Sequence, residues 1–446
     1  MHLPSSWIFS KFDELNEFRS FNINPASFPL EIFDLYSVPI FPTRKPEKAI
    51  GKEIGSAKQI VEPSDVLISK INPRINRVWQ VGPTEVIKQI ASSEWIVFRN
   101  KNLEERYFLH YFCSPSFRER LCADVTGVGG SLTRAQPKRV AEFLLPVAPL
   151  SEQRRIADKL DTILTRVDAL NDRLARITPL LKRFRQSVLA AATSGRLTED
   201  WRGCSDLDAW RKSCELRQVT SLDVGFAFKS AEFKDSGIRL LRGDSIEPGG
   251  LRWREAKYWA SEAVDTERHL FLALGDVVLA MDRPIISTGL KVARVKAEDL
   301  PCLLVQRVCR FRTGDEVTLD YIHIALQSSA FVEHLLSVQN GSSIPHISSA
   351  QILSFRLHIP PLSEQTEIVR RVEILFAYAD RLEARLQTAR TTAERLTPAL
   401  LAKAFRGDLV PQDPNDEPAS ELLRRLREAR VAEVSAKPKR GRKSVA

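Results

Sequence analysis

The chain has 446 residues, of which 43% are hydrophobic and 27% are charged, and this composition excludes a disordered or fibrous protein. The length exceeds that of one ordinary hydrophobic core, so we expect two or three domains. No apolar run reaches the roughly 18 residues of a membrane-spanning helix. Because the first residues also lack a secretory pattern, we expect a cytoplasmic protein without membrane contact.

The net charge of +10 favours a polyanionic partner, and nucleic acid is the first candidate. Part of the excess lies in the segment KPKRGRK, residues 437–443, which is either a DNA-contacting arm or a disordered solubilising tail. The six cysteines form no CxxC pair and no zinc-like spacing. We therefore interpret them as buried or incidental thiols, and we expect neither a metal nor another cofactor.

The first globular region carries three local patterns. SDVLISKINPR, residues 64–74, predicts a turn followed by a buried strand, and YFLHYFCSPSF, residues 107–117, predicts a short amphipathic helix. A glycine-containing loop, TGVGGSLTR, follows at residues 126–134. The second half of the chain repeats all three patterns, so the chain contains two related globular regions. The counterparts are GDVVLAMDRP at 275–284, YIHIALQSSAF at 321–331 and NGSSIPH at 340–346.

The pentapeptide PLSEQ occurs twice, at residues 149–153 and 361–365, and a long apolar pattern follows each copy. The apolar residues recur at alternating steps of four and three, which is typical of a coiled-coil seam. Each segment covers about 44 residues, or roughly 66 Å as a helix. The predicted seam comprises Leu160, Ile163, Val167, Leu170 and Leu174 in the first segment and Val372, Leu375, Leu382 and Leu386 in the second.

Helix-capping signals flank both long segments. Ser151 and Ser363 are predicted to cap the helix starts, and Gly195 and Gly407 are predicted to take the left-handed conformation at the helix ends. A Thr-Pro step inside each segment predicts a kink or a capped restart. The alternative to a coiled-coil pair is that each helix packs on its own globular neighbour.

These patterns predict an α+β protein in six parts. The predicted parts are globular domains at 1–150 and 213–362, long helices at 151–198 and 363–410, a linker at 199–212, and a hinge with a basic tail at 411–446.

The order of these motifs resembles that of one protein family, the specificity subunits of Type I restriction-modification enzymes. The resemblance rests on the two PLSEQ-led helices, on DVLISKINPR and GDVVLA, and on FAFKSAEFKDSGIRLLRGDSI at residues 226–246, and it covers nearly the whole chain. It implies a non-catalytic subunit whose two target-recognition domains read the halves of a split double-stranded DNA sequence. It also implies that the long helices form an antiparallel coiled coil with pseudo-two-fold symmetry. The implied partners are two methylation subunits and a restriction and translocation subunit.

Basic and amide side chains cluster near both repeated strands, where we expect them to contact DNA. Lys and Arg supply phosphate contacts, and Arg, Asn and Gln read base edges. The alternative for each residue is a solvated charged surface. The candidates in the first domain are Lys70, Asn72, Arg74, Asn76, Arg77, Arg134, Lys138 and Arg139. The candidates in the second domain are Lys229, Lys234, Arg239, Arg242, Arg283, Lys291, Ser342, Ser343 and His346.

Two other functions fit parts of the sequence. Asp244, followed by Glu255 and Lys257, resembles the carboxylate and lysine spacing of an Mg²⁺-dependent nuclease. A coiled-coil assembly scaffold, with the globular regions as protein-binding modules, also fits the long helices. Salt-dependent and sequence-selective DNA binding would distinguish DNA reading from a scaffold.

Overall fold

The computed structural model describes residues 3–84, 86–123, 125–126, 133–260, 268–339 and 345–436. Its contacts divide the chain into two compact units. The first unit comprises Met1–Leu174 and Thr388–Ala446, and the second comprises Ala175–Gln387. Each unit therefore contains one globular region, the start of one long helix and the end of the other.

The globular part of the first unit contains twelve strands among its described residues. The strands are β1 (Ile8–Lys11), β2 (Asn22–Ile23), β3 (Ile32–Tyr36), β4 (Glu47–Ile50), β5 (Lys58–Ile60), β6 (Val66–Ser69), β7 (Val78–Gln80), β8 (Lys88–Ala91), β9 (Trp95–Phe98), β10 (Val125–Thr126), β11 (Arg134–Ala135) and β12 (Leu144–Val147). The helices are α1 (Phe12–Leu15), α2 (Glu105–Phe112), α3 (Pro115–Ala123) and α4 (Pro137–Ala141), and the long helix α5 (Leu150–Thr193) follows them.

The globular part of the second unit has a similar content. The strands are β13 (Arg211–Glu215), β14 (Thr220–Val224), β15 (Ile238–Leu241), β16 (Ile246–Glu247), β17 (Gly250–Leu251), β18 (Lys257–Trp259), β19 (Val277–Ala280), β20 (Ile285–Ile286), β21 (Gly289–Leu290), β22 (Val292–Arg294), β23 (Cys302–Leu304), β24 (Val308–Thr313) and β25 (Arg356–Ile359). The helices are α6 (Glu199–Arg202), α7 (Leu319–Leu326), α8 (Ser329–Val338) and α9 (Ser349–Leu353); the long α10 (Leu362–Ala404) and then α11 (Ala419–Ala436) follow.

The same small sheet recurs in both globular parts. In the first, β6 lies between β7 and β9, and all three strands are antiparallel. In the second, β19 lies between β22 and β24 with the same directions. Every residue of β6 and β19 is buried, as expected for a strand covered on both faces. The prediction of a turn and a buried strand in each repeat is confirmed.

The remaining sheets differ between the two parts. The first has a five-stranded sheet in the order β2-β5-β8-β3-β4, in which β3 and β8 are parallel. The second extends β24 with β14 and adds a three-stranded sheet in the order β18-β15-β23. In both parts the first strand of the globular part pairs with the last strand before the long helix. These pairs are β1 with β12 and β13 with β25. The second repeated pattern is helical in both parts, but each copy covers two short helices, α2 with α3 and α7 with α8, so the prediction of a single helix was wrong.

The two long helices pack against each other in an antiparallel direction. In the first unit the start of α5 shares a core with the end of α10, through Ile156 and Leu160 beside Leu401 and Ala404. In the second unit the start of α10 shares a core with the end of α5. The coiled-coil prediction is confirmed, and each helix also packs on a globular core.

Burial along the seam follows one position in each heptad. Leu160, Val167 and Leu174 are buried in the first unit, as are Val372 and Leu386 in the second. The alternate positions are only partly covered: Ile163, Leu375 and Leu382 are half-buried, and Leu170 is 41% exposed. The apolar seam is thus deepest along a single seven-residue repeat.

Both helices end as predicted but continue through their prolines. Gly195 and Gly407 take the left-handed conformation, with φ of 77° and 84°. Helix α5 includes Pro179 and α10 includes Pro398, so neither proline begins a new helix. Of the two alternatives, the capped restart was wrong because each helix is continuous through its proline, and the kink stays a prediction.

The glutamate and glutamine of each PLSEQ copy are buried and fix the helix start to its globular part. In the first unit Glu152 accepts a hydrogen bond from Trp7 Nε1 at 2.9 Å and from Gln412 Nε2 at 2.5 Å. The Gln153 side chain accepts from the Glu104 backbone N–H at 3.1 Å and donates to the Ala148 carbonyl at 2.7 Å.

The second unit repeats this junction with a charged donor. Glu364 accepts hydrogen bonds from Trp210 Nε1 at 2.8 Å, from Thr198 Oγ1 at 2.7 Å and from Arg202. Gln365 bonds to backbone groups at Glu316, Thr318 and Pro360, as Gln153 does in the first unit.

The predicted serine caps are not where the helices begin. Helix α5 starts at Leu150 and α10 starts at Leu362, one residue before each serine. The backbone N–H groups of Gln153 and Gln365 bond instead to the carbonyls of Pro149 and Pro361. The serine is therefore already inside the first helical turn.

The segment after α10 packs on the first unit and contains α11. Asp416 pairs with Arg155 at 2.6 Å, and the Ala419 backbone N–H donates to the Ser6 carbonyl at 2.9 Å. Leu422 and Leu423 are buried in the core of the first unit, and each contributes about 1.5–3 kcal/mol. The sequence predicted only a hinge and tail here, and residues 437–443 lie outside the described residues. Among the helices that the structure describes, none is long and apolar enough to cross a bilayer.

Candidate nucleic-acid interface

A basic loop, residues 70–77, follows β6 and is held against β11 by two backbone hydrogen bonds. The Asn72 N–H donates to the Thr133 carbonyl, and the Ala135 N–H donates to the Lys70 carbonyl, both at 2.9 Å. Asn72 has a left-handed backbone with φ of 47°. The structure thus brings the predicted residues of 70–77 together with Arg134, although they are distant in sequence.

The loop at residues 281–291, which follows β19, has the same backbone frame. The Arg283 N–H donates to the Pro345 carbonyl at 2.7 Å, and the Ile347 N–H donates to the Met281 carbonyl at 3.0 Å. Arg283 is left-handed with φ of 45° and takes the place of Asn72. The residues that make these backbone hydrogen bonds in the two loops are offset by 211 or 212 positions, so the bonding pattern is part of the repeat.

The candidates of loop 70–77 divide into exposed and structural side chains. Arg74 is exposed. Asn76 Nδ2 donates to the Cys113 carbonyl at 2.8 Å, and Arg77 Nη1 donates to the Ile71 carbonyl at 3.3 Å, so both help to hold the loop. Asn72 Oδ1 is buried without a hydrogen-bond partner in the protein.

The cations beside loop 70–77 differ in exposure. Lys70 Nζ donates to the Ser93 carbonyl, and burial lowers the pKa of this amine. Arg134 is exposed and pairs with Glu94 at 3.0 Å. Lys138 and Arg139 lie exposed on α4, directly after β11. Lys138 and Arg139 therefore add exposed positive charge to the segment that bonds to the loop, whereas Lys70 is partly buried and Arg134 is paired.

In the second unit the candidates nearest to β19 surround loop 281–291. Arg283 is exposed, and His346 lies beside Asp282 with Nδ1 and Oδ1 3.3 Å apart. Arg242 pairs with Asp244 at 3.0 Å. Lys291 is buried, and burial lowers the pKa of its amine. Because its amine is covered, Lys291 is not available to a phosphate in this conformation.

The other second-domain candidates have different surroundings. Lys229 is exposed and lies 3.6 Å from Glu232. Arg239 Nη2 donates to the Leu300 carbonyl at 2.9 Å, and its guanidinium lies over the Trp253 ring, so it supports the domain. Lys234 is exposed and bridges to Tyr258 through its backbone. Ser342 and Ser343 lie outside the described residues.

A family model matches most of the two globular parts and their helices. The model describes the Type I restriction modification DNA specificity domain, and it matches residues 34–178 and 255–389, well over half of the chain. The chain belongs to this DNA specificity family. The expectation from the resemblance is confirmed, and both repeats carry a domain that gives these systems their DNA sequence specificity.

Curated members of the family resemble the chain over most of its length. The EcoKI specificity subunit of Escherichia coli strain K12 is 28% identical over 404 residues, which are 88% of this chain and 86% of that protein. The StySPI specificity subunit of Salmonella potsdam is 30% identical over 353 residues, covering 76% of this chain and 75% of that protein. The similarity therefore spans both repeats.

Solved structures of the family share the fold. One, from work on complex assembly and conformational transition of the type I R-M system, has a TM-score of 0.70 at 19% identity, covering 92% of this chain and all of that chain. Another, the HsdS subunit from Thermoanaerobacter tengcongensis, has a TM-score of 0.60 at 21% identity, covering 92% of this chain and 99% of that chain.

Of the residues of the nuclease alternative, Glu255 and Lys257 lie within the matched residues 255–389, and Asp244 lies before them. Asp244 is paired with Arg242, Glu255 is exposed, and Lys257 is on β18. Within the part of the chain that the structure describes, no three His, Cys, Asp or Glu side chains form a group suited to a metal ion.

Three side chains at the loops were missed by the sequence reasoning. Glu94 and Arg307 are equivalent residues, each lying immediately before a strand, β9 or β24. Asp282 directly precedes Arg283 in its loop. Charge alone did not single them out, since similar residues are common in this chain. Their shared position becomes visible only through strand register.

Proposed function

We propose that this chain is the specificity subunit of a Type I restriction-modification complex and that it reads a bipartite DNA target. The recognition surface around loop 70–77 reads one half-site, and that around loop 281–291 reads the other. The observation that carries the proposal is the repeated pair of backbone hydrogen bonds, in which the left-handed Asn72 or Arg283 donates to a carbonyl of a distant segment.

The side chains of the two loops suit the two kinds of DNA contact. Arg74 and Arg283 are exposed at the left-handed turn and can reach phosphates or base edges. Lys138 and Arg139 add positive charge beside the first loop. Phosphate contacts of this kind supply affinity and make it fall as salt rises.

The duplicated architecture fits a target with two half-sites, just as repeated readers fit repeated DNA segments in other binders. Helices α5 and α10 are continuous over 44 and 43 residues. We propose that this continuity makes the pair a spacer, whose length sets the number of unread base pairs between the half-sites.

We further propose that the chain has no catalytic role of its own and acts in the cytoplasm. Two methylation subunits would dock on the complex, one for each repeat, and a restriction and translocation subunit would carry out cleavage. The support is the similarity to curated specificity subunits and to a solved chain from a study of complex assembly in such a system.

The test is to map methylated motifs in host DNA with and without this gene. We expect a bipartite motif that disappears on deletion and returns with the wild-type gene. A double variant, Arg74→Ala with Arg283→Ala, should reduce methylation of that motif. Arg252→Ala is the matched control, since Arg252 is an exposed arginine that pairs with Glu247 on the same unit. Unchanged methylation on deletion would contradict the proposal and favour the scaffold.

A further inference from the structure

Beside each recognition loop, two side chains meet at structurally equivalent positions. The Lys70 N–H bonds to the Glu94 carbonyl at 2.9 Å, and the Met281 N–H bonds to the Arg307 carbonyl at 2.8 Å. Glu94 and Arg307 are therefore equivalent. The backbone bridges of Ile71 to Arg134 and of Asp282 to His346 make Arg134 and His346 equivalent. Each domain thus places two residues from distant segments beside its loop: the residue just before β9 or β24, and the residue bridged to the loop backbone.

In the first domain this pair is an ion pair that faces solvent. Arg134 Nη2 lies 3.0 Å from Glu94 Oε1, and the two side chains are 56% and 27% exposed. The carboxylate holds the guanidinium on one edge and leaves its remaining N–H groups accessible. A guanidinium whose paired N–H donors are already held in place loses less side-chain entropy on binding than a free lysine does.

In the second domain the arginine comes from the other member of the pair. Arg307 Nη1 lies 3.0 Å from His346 Nδ1, and Arg307 Nε lies 3.8 Å from Asp282 Oδ2. His346 Nδ1 also lies 3.3 Å from Asp282 Oδ1, so Arg307, His346 and Asp282 form one polar cluster, in which Nδ1 accepts from the guanidinium in one tautomer and donates to the carboxylate in the other. Arg307 remains 54% exposed, so it too is held on one side and open on the other.

The backbone of Arg307 is an independent sign of function. Its φ of 66° is left-handed, a conformation that is unfavourable for a residue with a side chain. Such residues persist where the surrounding structure fixes them, and they cluster at binding sites. Here the Met281 and Gln306 N–H groups bond on either side, to the Arg307 and Phe226 carbonyls.

We propose that Arg134 and Arg307 are specificity-determining residues, and that each reads the guanine of one G·C pair through O6 and N7. The nearby carboxylates, of Glu94 and of Asp282, would accept from the amino group of the paired cytosine. This inference rests on the proposed function and adds the base that one site in each domain selects. Arginine makes the bidentate contact to guanine, and carboxylates accept from cytosine N4.

The carboxylates also explain why these arginines read bases rather than phosphates. Glu94 and Asp282 are repelled by the DNA backbone, and each partly neutralises the arginine next to it. A phosphate contact would therefore be weaker here than at Arg74 or Arg283. The edge of a G·C pair in the major groove offers acceptors to the arginine and a donor to the carboxylate.

The test uses the chain in complex with its methylation subunits and DNA duplexes that carry the mapped motif. Each guanine in turn is replaced by 7-deazaguanine, which lacks the N7 acceptor. For the wild type we expect one sensitive guanine in each half-site, with roughly 2- to 12-fold weaker binding, because 7-deazaguanine removes one of the two hydrogen bonds of the bidentate contact. In Arg134→Ala and in Arg307→Ala, the substitution of 7-deazaguanine should no longer weaken binding at the guanine that the missing arginine reads. The sensitive guanine of the other half-site should stay sensitive.

Arg307→Lys and Arg134→Lys separate base reading from charge. Each keeps the positive charge but loses the planar pair of N–H donors of the guanidinium. We therefore expect methylation to persist, with a relaxed base preference at one position of the motif. Arg252→Ala is the control that should leave the motif unchanged, and melting of each purified complex checks folding.

The possible failures are distinct. The absence of any bipartite motif for the wild type would reject the proposed function. A bipartite motif whose 7-deazaguanine sensitivity is the same in the wild type and the arginine variants would reject this inference alone. Uniformly weaker methylation at every base sequence in the Ala variants, restored in the Lys variants with no change of base preference, would also overturn it, because the arginines would then be phosphate contacts.

Discussion

The two buried glutamates at the helix starts should differ sharply in their importance for stability. Glu364 is 2% exposed as a side chain and accepts from Arg202, whose side chain is 11% exposed. Replacing Glu364 with Gln leaves the Arg202 charge nearly buried and unpaired, which costs about 3–5 kcal/mol. For a unit of this size that lowers the melting temperature by roughly 6–20 °C.

Glu152→Gln is the matched control in the first unit. The hydrogen-bond donors to Glu152 are the neutral Trp7 and Gln412, and Arg155 is engaged by Asp416. Burial raises the pKa of Glu152, so the carboxylate destabilises the fold once the pH rises above its ordinary pKa. A neutral amide avoids that cost, and we expect a change of no more than about 1 kcal/mol.

Calorimetry of the full chain measures both effects, and hydrogen exchange locates them. Exchange should rise near Trp210 in Glu364→Gln, while the peptides around Trp7 act as an internal reference. Adding Arg202→Met to Glu364→Gln should recover much of the loss, since it removes the unpaired charge. Equal losses from Glu364→Gln and Glu152→Gln, or no recovery in the double variant, would refute this account.

Other expectations follow from the helices, loops and one histidine. Inserting one heptad into both long helices adds roughly 10 Å and should lengthen the unread stretch of DNA between the half-sites by about three base pairs, as motif mapping would show. An unchanged stretch would contradict the proposal that helix length sets this spacing. Arg74→Ala and Arg283→Ala should each reduce the salt dependence of DNA binding by about one phosphate contact, whereas full affinity in the double variant removes both from the interface. Leu160→Ala should cost about 2–5 kcal/mol in denaturant unfolding, because Leu160 is fully buried; Leu170→Ala should cost under about 1 kcal/mol, and similar costs would contradict the burial pattern. Burial lowers the pKa of His323 to about 4, so as the pH falls the unfolded chain binds a proton at this histidine before the folded chain does. The free energy of unfolding should therefore fall by at most about 3 kcal/mol as the pH drops from 6.5 toward 4. His323→Gln should remove that pH dependence in acid unfolding.

The features predicted correctly are those written in local patterns. The buried strands β6 and β19 follow turn residues and are continuous apolar runs. The long helices have a sustained seven-residue pattern, and Gly195 and Gly407 mark their ends because glycine accepts a positive φ. In each case the information lies within a few residues of the element.

The features that the sequence did not predict depend on distant partners. Glu152 and Trp7 are separated by 145 positions, and Glu364 and Trp210 by 154. The equivalent meeting of Glu94 with Arg134 requires strand register across 40 positions. Tertiary packing decides which of many charged residues becomes part of the site.

The order in which the chain is synthesised matters for the first unit, because its core is completed by segments near the C-terminal end. The core of the first unit contains Leu160 from the start of α5 and Leu423 from α11. At about 5–20 residues per second, a ribosome needs roughly 13–50 s to make the intervening chain. Until then, the apolar face near Leu160 has no partner from α10 or α11. The second unit needs nothing after Gln387, so it can be completed earlier. The first recognition domain made is therefore the last one finished, and a stalled chain would carry one closed domain and one open, aggregation-prone domain.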